Sequence, residues 1–159
     1  MDSNNINEFV EVMNIKLHTV NEMCIATRNI DSYAKALATL FRWEIAQQGE
    51  YYSDEFDTYR GEKANFKGKF SRFVANNNTI ELIEVISGNS FICEYLDAFG
   101  IGICCLSFTV DDIQDIKELF KEYQIEPIQT GKSTNPPTEW VCFDGREKFA
   151  CFIKVSKLI

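Results

Sequence analysis

The sequence predicts an α+β protein in which two βαβββ modules form a curved mixed sheet around a U-shaped cavity, with the helices outside. Two observations lead to this prediction. The order strand, helix, strands occurs in residues 16–86 and again in residues 103–156. A shift of 83 residues places Ile25 on Phe108 and continues in register through the following helix. Since neither module can bury its sheet alone, we expect both to share one core.

The composition is that of one globular domain covering residues 1–159. Hydrophobic residues make up 45% of the chain, and the formal charge is -8. Nucleic acids and anionic membranes attract clustered cations, so we expect neither as a partner. The N-terminal residues lack the basic and apolar segments of a signal peptide, and the six cysteines lie in mostly apolar runs. We therefore expect a cytoplasmic protein with reduced cysteines.

Each element of the first module has its own signal. Apolar residues recur every three or four positions after Asn29, a residue type that caps helices well, and so predict a helix there. Apolar runs with β-branched residues predict the strands. The predicted elements are a helix at 4–13 ahead of the module, strands at 20–27 and 43–49, a hairpin of strands 69–75 and 79–86, and a linking helix at 90–99.

Residues 50–68 mix both signs of charge with aromatic side chains and show no clear period. This pattern is consistent with a long mobile loop or with irregular strands. The aromatic residues of this segment could cover an apolar ligand as a lid, or form a dimer surface.

The second module repeats the order of the first. The sequence predicts a strand at 103–110, a helix capped by Asp111 or Asp112, a strand at 125–129, and a hairpin of strands 139–143 and 148–155. Asp144-Gly145 is typical of a type I′ hairpin turn. A shift of 71 residues matches the last strands of the two modules and places Ile80 on Cys151.

Three stretches carry a family resemblance. They read VNEMCIATRNIDSYAKAL, NNTIELIEVISGNSFICEYLDAFGIGICCLSFTVDDIQDIKELF and EWVCFDGREKFACFIKV. They resemble the vicinal oxygen chelate superfamily, the fold of glyoxalase I, methylmalonyl-CoA epimerase and bleomycin-resistance proteins. The middle stretch is most similar to the epimerase branch. The resemblance covers about residues 16–156 and implies the two-module fold, a small-molecule substrate in the cavity and a homodimer.

The resemblance also implies where a metal ion would be held. The family places its ligands on the first and last strand of each module, which correspond here to Glu22, Glu81, Cys105 and Phe152. The family usually has histidine at the first and third points, but the only histidine of this chain is His18. Phenylalanine cannot bind a metal. We therefore expect a degenerate site, with no certain cofactor and at most a divalent metal weakly bound by Glu22 and Glu81.

Glu22 and Glu81 are the candidate catalytic residues because each interrupts an apolar strand. On a concave face they would be partly desolvated, which raises the pKa of a carboxyl group and suits a general base next to a carbonyl. The alternatives are that they face solvent or form an ion pair. The expected substrate contacts are Cys105, Trp140, Phe152, Phe73 and Phe108. For Cys105 and Trp140, plain core packing is the alternative.

These observations predict a small-molecule isomerase, epimerase or lyase that transfers a proton next to a carbonyl group. The substrate would be a thioester or a polyketide-like carbonyl compound. Two alternatives stay open: a metal-free, cyclase-type enzyme of specialised metabolism, and a non-catalytic small-molecule binding or resistance protein.

Overall fold

In a computed structural model of the protein, residues 20–134 and 136–159 are described and form a ten-stranded sheet with four helices. The strands are β1 (Val20–Ala26), β2 (Ile45–Tyr52), β3 (Thr58–Tyr59), β4 (Glu62–Lys63), β5 (Phe66–Ala75), β6 (Asn78–Gly88), β7 (Gly102–Thr109), β8 (Pro127–Thr134), β9 (Pro137–Phe143) and β10 (Phe152–Leu158). The helices are α1 (Ile30–Phe41), α2 (Phe91–Phe99), α3 (Ile113–Glu122) and α4 (Arg146–Phe149). The predicted helix at 4–13 and His18 lie outside the described residues.

The sheet confirms the predicted fold of two βαβββ modules. Its strand order is β2-β5-β6-β1-β7-β10-β9-β8-β3-β4. At the centre β1 pairs antiparallel with β7, while β1 is parallel to β6 and β7 is parallel to β10. This arrangement relates the modules by an approximate twofold axis at the β1–β7 seam. Among the described helices, none is long and apolar enough to cross a membrane.

Helices α1 and α3 cover one face of the sheet, here called the outer face. Ile30 and Ala34 of α1 pack with Phe73, Ile80 and Leu82 of the first module. The corresponding residues of α3 pack in the same way on β7, β9 and β10. The predicted caps are confirmed: the side chain of Asn29 accepts from the Ser32 N–H, and Asp112 caps α3.

Helix α2, which links the modules, packs on the opposite or inner face. Phe91 and Leu96 belong to one buried cluster with Cys24, Cys105 and Phe152. The rings of Phe91 and Phe152 meet edge to face, with centroids 5.2 Å apart. The helix therefore fills one end of the concave side and leaves the charged part of β1 and β10 at the other end.

Residues 50–68 form irregular strands, the second of the two predicted alternatives. The hairpin of β3 and β4 pairs with β8, at the far end of the strand order from β2. Yet β4 ends at Lys63 and β5 begins at Phe66, so these ends lie within about 11 Å, the reach of three residues. The segment thus brings the two ends of the curled sheet together.

One turn prediction is wrong. Asp144-Gly145 does not form a type I′ turn, because φ of Gly145 is -89°. The Asp144 carboxylate instead accepts from the backbone N–H of Arg146 at 3.3 Å and from its Nε at 2.8 Å. This contact starts the short helix α4, and the last strand begins at Phe152 rather than at residue 148.

Candidate functional site

Four charged side chains meet on the inner face. They are Glu22 of β1, Glu81 of β6, Arg72 of β5 and Lys154 of β10. Arg72 Nε lies 2.7 Å from Glu81 Oε1 and 3.6 Å from Glu22 Oε2. Lys154 Nζ lies 3.0 Å from Glu22 Oε1. The structure therefore brings the two predicted carboxylates together and adds two cations to them.

Strand alternation explains why Glu81 points inward. Its neighbours Ile80 and Leu82 pack beneath α1 on the outer face, so the intervening side chain turns to the inner face. Across the sheet, Glu81 pairs with Cys24 on one side and with Arg72 on the other. Its side chain is 4% exposed, compared with 15% for Glu22.

Two uncharged donors complete the cluster. The thiol of Cys24 lies 3.6 Å from both Glu22 Oε1 and Glu81 Oε2. The hydroxyl of Ser107 donates to Glu22 Oε1 at 3.4 Å. A hydrogen bond with Cys105, together with burial, raises the pKa of Cys24 well above its ordinary value. Cys24 therefore remains a thiol and acts as a donor between the carboxylates.

The environment pushes the pKa values of the two carboxyl groups apart. Burial raises the pKa of Glu22, but the nearby charges of Lys154 and Arg72 outweigh burial and bring it below its ordinary value. Burial raises the pKa of Glu81 as well, and the charge of Glu22 adds to that rise, so the pKa stays above its ordinary value despite Lys154 and Arg72. One carboxyl group is thus kept ionised while its neighbour retains a proton to higher pH.

The residues present do not fit the divalent metal that the fold family implies. The ligand atoms of Glu22, Cys24 and Glu81 lie within 4.8 Å of one another, which is a plausible spacing. However, Lys154 and Arg72 already bind the two carboxylates, and two more positive charges would meet two cations. The raised pKa of the Cys24 thiol also opposes thiolate ligation. No step proposed below passes through a metal.

The expected substrate contacts divide between the two faces. Cys105 and Phe152 lie on the inner face but are fully buried in the cluster that includes α2. Phe73 packs under α1, and Phe108 packs beside the cluster under α3. Strand alternation turns both of these rings away from the carboxylates, so neither one can contact a ligand held there.

Trp140 packs against the inner-face cluster and also borders a separate cavity of about 360 Å³. That cavity lies between the first turn of α3, strands β8 and β9, and Phe56. None of the four charged residues of the inner face lines it.

Sequence reasoning missed Lys154 because of a register error. Glu22 pairs with Ser107 and Cys24 pairs with Cys105, so the twofold axis passes between these pairs and relates Cys24 to Ser107. On β6 the neighbour of Cys24 is Glu81, and on β10 the neighbour of Ser107 is Lys154. Lys154, not Phe152, is therefore the counterpart of Glu81.

The error has a physical reason. The shift of 71 residues is two residues away from the true register, and a shift of two leaves the inward and outward alternation of a strand unchanged. Apolar residues match apolar residues in both registers. The isolated charge of Lys154 between Ile153 and Val155 is the signal that could have identified the correct one.

No protein-family model matches the sequence, and no curated protein matches it. Solved structures do match. A hypothetical protein from Bacillus halodurans superposes with a TM-score of 0.67, at 16% identity, over 91% of this chain and 95% of that chain. Methylmalonyl-CoA epimerase from Mycobacterium tuberculosis superposes with a TM-score of 0.65, at 12% identity, over 90% and 89%.

A third similar structure is a methylmalonyl-CoA epimerase in complex with methylmalonyl-CoA and NH4+, with a TM-score of 0.64 at 10% identity over 90% and 96% of the two chains. At these identities the likeness shows the fold. The chain has a vicinal oxygen chelate-like fold, as the sequence resemblance implies.

Proposed function

We propose that this protein is an isomerase that moves a proton on a carbon atom next to a carbonyl group. Glu22 is the base and Glu81 is the acid. The observation that carries the proposal is the pair of adjacent inner-face carboxyl groups whose pKa values are displaced in opposite directions. Such a pair supplies an ionised acceptor and a protonated donor at the same pH.

The cations have a role in this chemistry. When Glu22 takes the proton, the electron pair of the carbon–hydrogen bond moves into an enolate, and negative charge develops on the carbonyl oxygen. Lys154 and Arg72 are fixed donors close enough to stabilise that charge. Glu81 then delivers its proton to the receiving carbon, and a proton passes from Glu22 to Glu81 to restore both groups.

The spacing of the carboxyl groups favours transfer along one face of the substrate. Inversion at carbon needs the acid and the base on opposite faces, each about 3 Å from the carbon, which separates them by about 6 Å. The ligand atoms of Glu22 and Glu81 lie within 4.8 Å of one another. We therefore favour relocation of a proton or double bond over epimerisation.

Deuterium incorporation tests the proposal without knowledge of the substrate. The protein is incubated in D2O with a panel of enolisable acyl thioesters, β-keto esters and unsaturated ketones, and exchange is followed by mass spectrometry. We expect wild type to label at least one member, and Glu22→Gln to slow labelling by roughly a hundredfold or more. Glu118→Gln, which changes an exposed carboxylate on α3, is the matched control. Absence of labelling by wild type across the panel would contradict the proposal.

A non-catalytic binding protein is the second candidate. The observation that favours it is that every charge of the cluster has an opposite charge beside it, so the cluster is electrostatically balanced without any reaction. This function predicts that a ligand binds without exchange of its carbon-bound hydrogens. Glu22→Gln would then change only the affinity.

A further inference from the structure

The second module places a cation where the first module has an acid. Lys154 is the counterpart of Glu81 across the β1–β7 seam, as the pairing of both strands shows. In a fold whose inner face commonly holds a metal ion between the modules, the equivalent position here carries an ammonium group. The substitution therefore changes what balances the carboxylates.

The contacts of Lys154 are those of a bound cation. Its Nζ lies 3.0 Å from Glu22 Oε1, the same oxygen that accepts from Ser107 and from Cys24. Its side chain is only 22% exposed. With Arg72 on Glu81, each carboxylate of the cluster has one nitrogen donor within 3.0 Å.

Without Lys154, the remaining donors would match a metal. Glu22, Cys24 and Glu81 offer three ligand atoms within 4.8 Å of one another. A zinc or cobalt ion with bonds of about 2.0–2.3 Å holds its ligand atoms about 3.3–3.8 Å apart, so a small inward movement would close the site. The charges agree, because two carboxylates and a thiolate balance a divalent ion together with Arg72.

We propose that Lys154 is a built-in replacement for a divalent metal ion, and that Glu22, Cys24 and Glu81 form a latent metal site that this lysine occupies. The role of the ammonium group in charge stabilisation rests on the proposed function. The occupancy of the metal position does not, because it follows from the contacts alone.

The test uses full-length protein, stripped of metal with a chelator and titrated with Co2+. The variants are Lys154→Ala and Lys154→Gln, and Lys157→Ala is the control because Lys157 lies on the same strand and pairs with surface Asp112. Binding is followed by calorimetry and by the near-ultraviolet charge-transfer band of a cobalt–thiolate bond. We expect the Lys154 variants to bind one equivalent of Co2+ roughly tenfold or more tightly than wild type and the control. The band should disappear when Cys24→Ser is added.

Two results would overturn the inference. One is a wild-type protein that binds one equivalent of Co2+ with a thiolate band sensitive to Cys24→Ser. The other is a pair of Lys154 variants that gain no affinity. If neither variant folds alone, both are refolded with Co2+; recovery of the native circular dichroism spectrum supports the site, and its absence contradicts it. Since no substrate is present, failure of the isomerase proposal would appear only in the deuterium experiment.

Discussion

The two modules share one backbone plan but differ in charge on the inner face. The first module supplies Glu22 and Glu81 as well as Arg72, whereas the equivalent strands of the second supply Cys105 and Lys154. The modules are joined by a seam of main-chain hydrogen bonds and, above it, by the ion pair of Glu22 and Lys154. Repetition of the fold thus preserved the positions while divergence made the two inner faces complementary.

The largest expected effect comes from breaking the ion pair on one side. Lys154→Met leaves the carboxylate of Glu22 with only the more distant Arg72. We expect a loss of about 3 kcal/mol in the free energy of unfolding, because a partly buried charge loses its partner. Urea denaturation measures it. The double variant Glu22→Met/Lys154→Met should recover most of the loss, and equal destabilisation of single and double variants would contradict a direct pairing.

Both modules also carry an aromatic ring over a glycine of the neighbouring strand. A Cβ on Gly68 would lie 2.2 Å from Tyr51 Cζ, and a Cβ on Gly131 would lie 2.3 Å from Trp140 Cζ2. Gly68→Ala should therefore lower the free energy of unfolding by about 1–3 kcal/mol. In a double-mutant cycle with Tyr51→Ala the loss should largely disappear, because the clash has no partner. Additive effects would show that the ring is not the cause.

The two carboxyl groups should give opposite pH dependences of stability. The folded pKa of Glu22 is lowered, so its contribution is present above the ordinary glutamate pKa and is lost as the pH falls through the folded value. The folded pKa of Glu81 is raised, so its contribution is present below the ordinary value and is lost as the pH rises through the folded one.

Urea denaturation across the acidic to neutral range measures this difference. Relative to wild type, Glu81→Gln should gain stability as the pH rises, and the deficit of Glu22→Gln should shrink as the pH falls. Parallel curves for both variants would contradict the assignment of one acid and one base.

The smallest expected effect concerns Tyr51, whose buried hydroxyl has no hydrogen-bond partner among residues 20–134 and 136–159. Removing an unpaired buried hydroxyl is neutral or stabilising, so Tyr51→Phe should change the free energy of unfolding by between 0 and about +1 kcal/mol. Tyr59→Phe is the control, since the Tyr59 hydroxyl donates to Glu94 and its removal should destabilise. A clear loss in Tyr51→Phe would reveal a partner, such as a bound water.

Local signals in the sequence were reliable where the physics is local. Asn29 and Asp112 cap their helices as predicted, and Gly100 ends α2 with a φ of 79°. The Asp144-Gly145 signal failed because the contact of Asp144 with Arg146 competes with the turn. The polar irregularity of residues 50–68 was visible, but its pairing with β8 was not, since the partner lies about seventy residues away in the chain.

Alternation along each strand was enough to turn Glu22 and Glu81 to the same face, because successive side chains of a strand point to opposite sides. It could not identify Lys154 or Arg72 as their partners. Strand pairing sets which residues stand side by side, and a two-residue slip leaves every apolar position apolar. The faces of the strands were therefore readable from the chain, whereas the ion pairs that define the site arise from hydrogen-bond register between segments far apart in sequence.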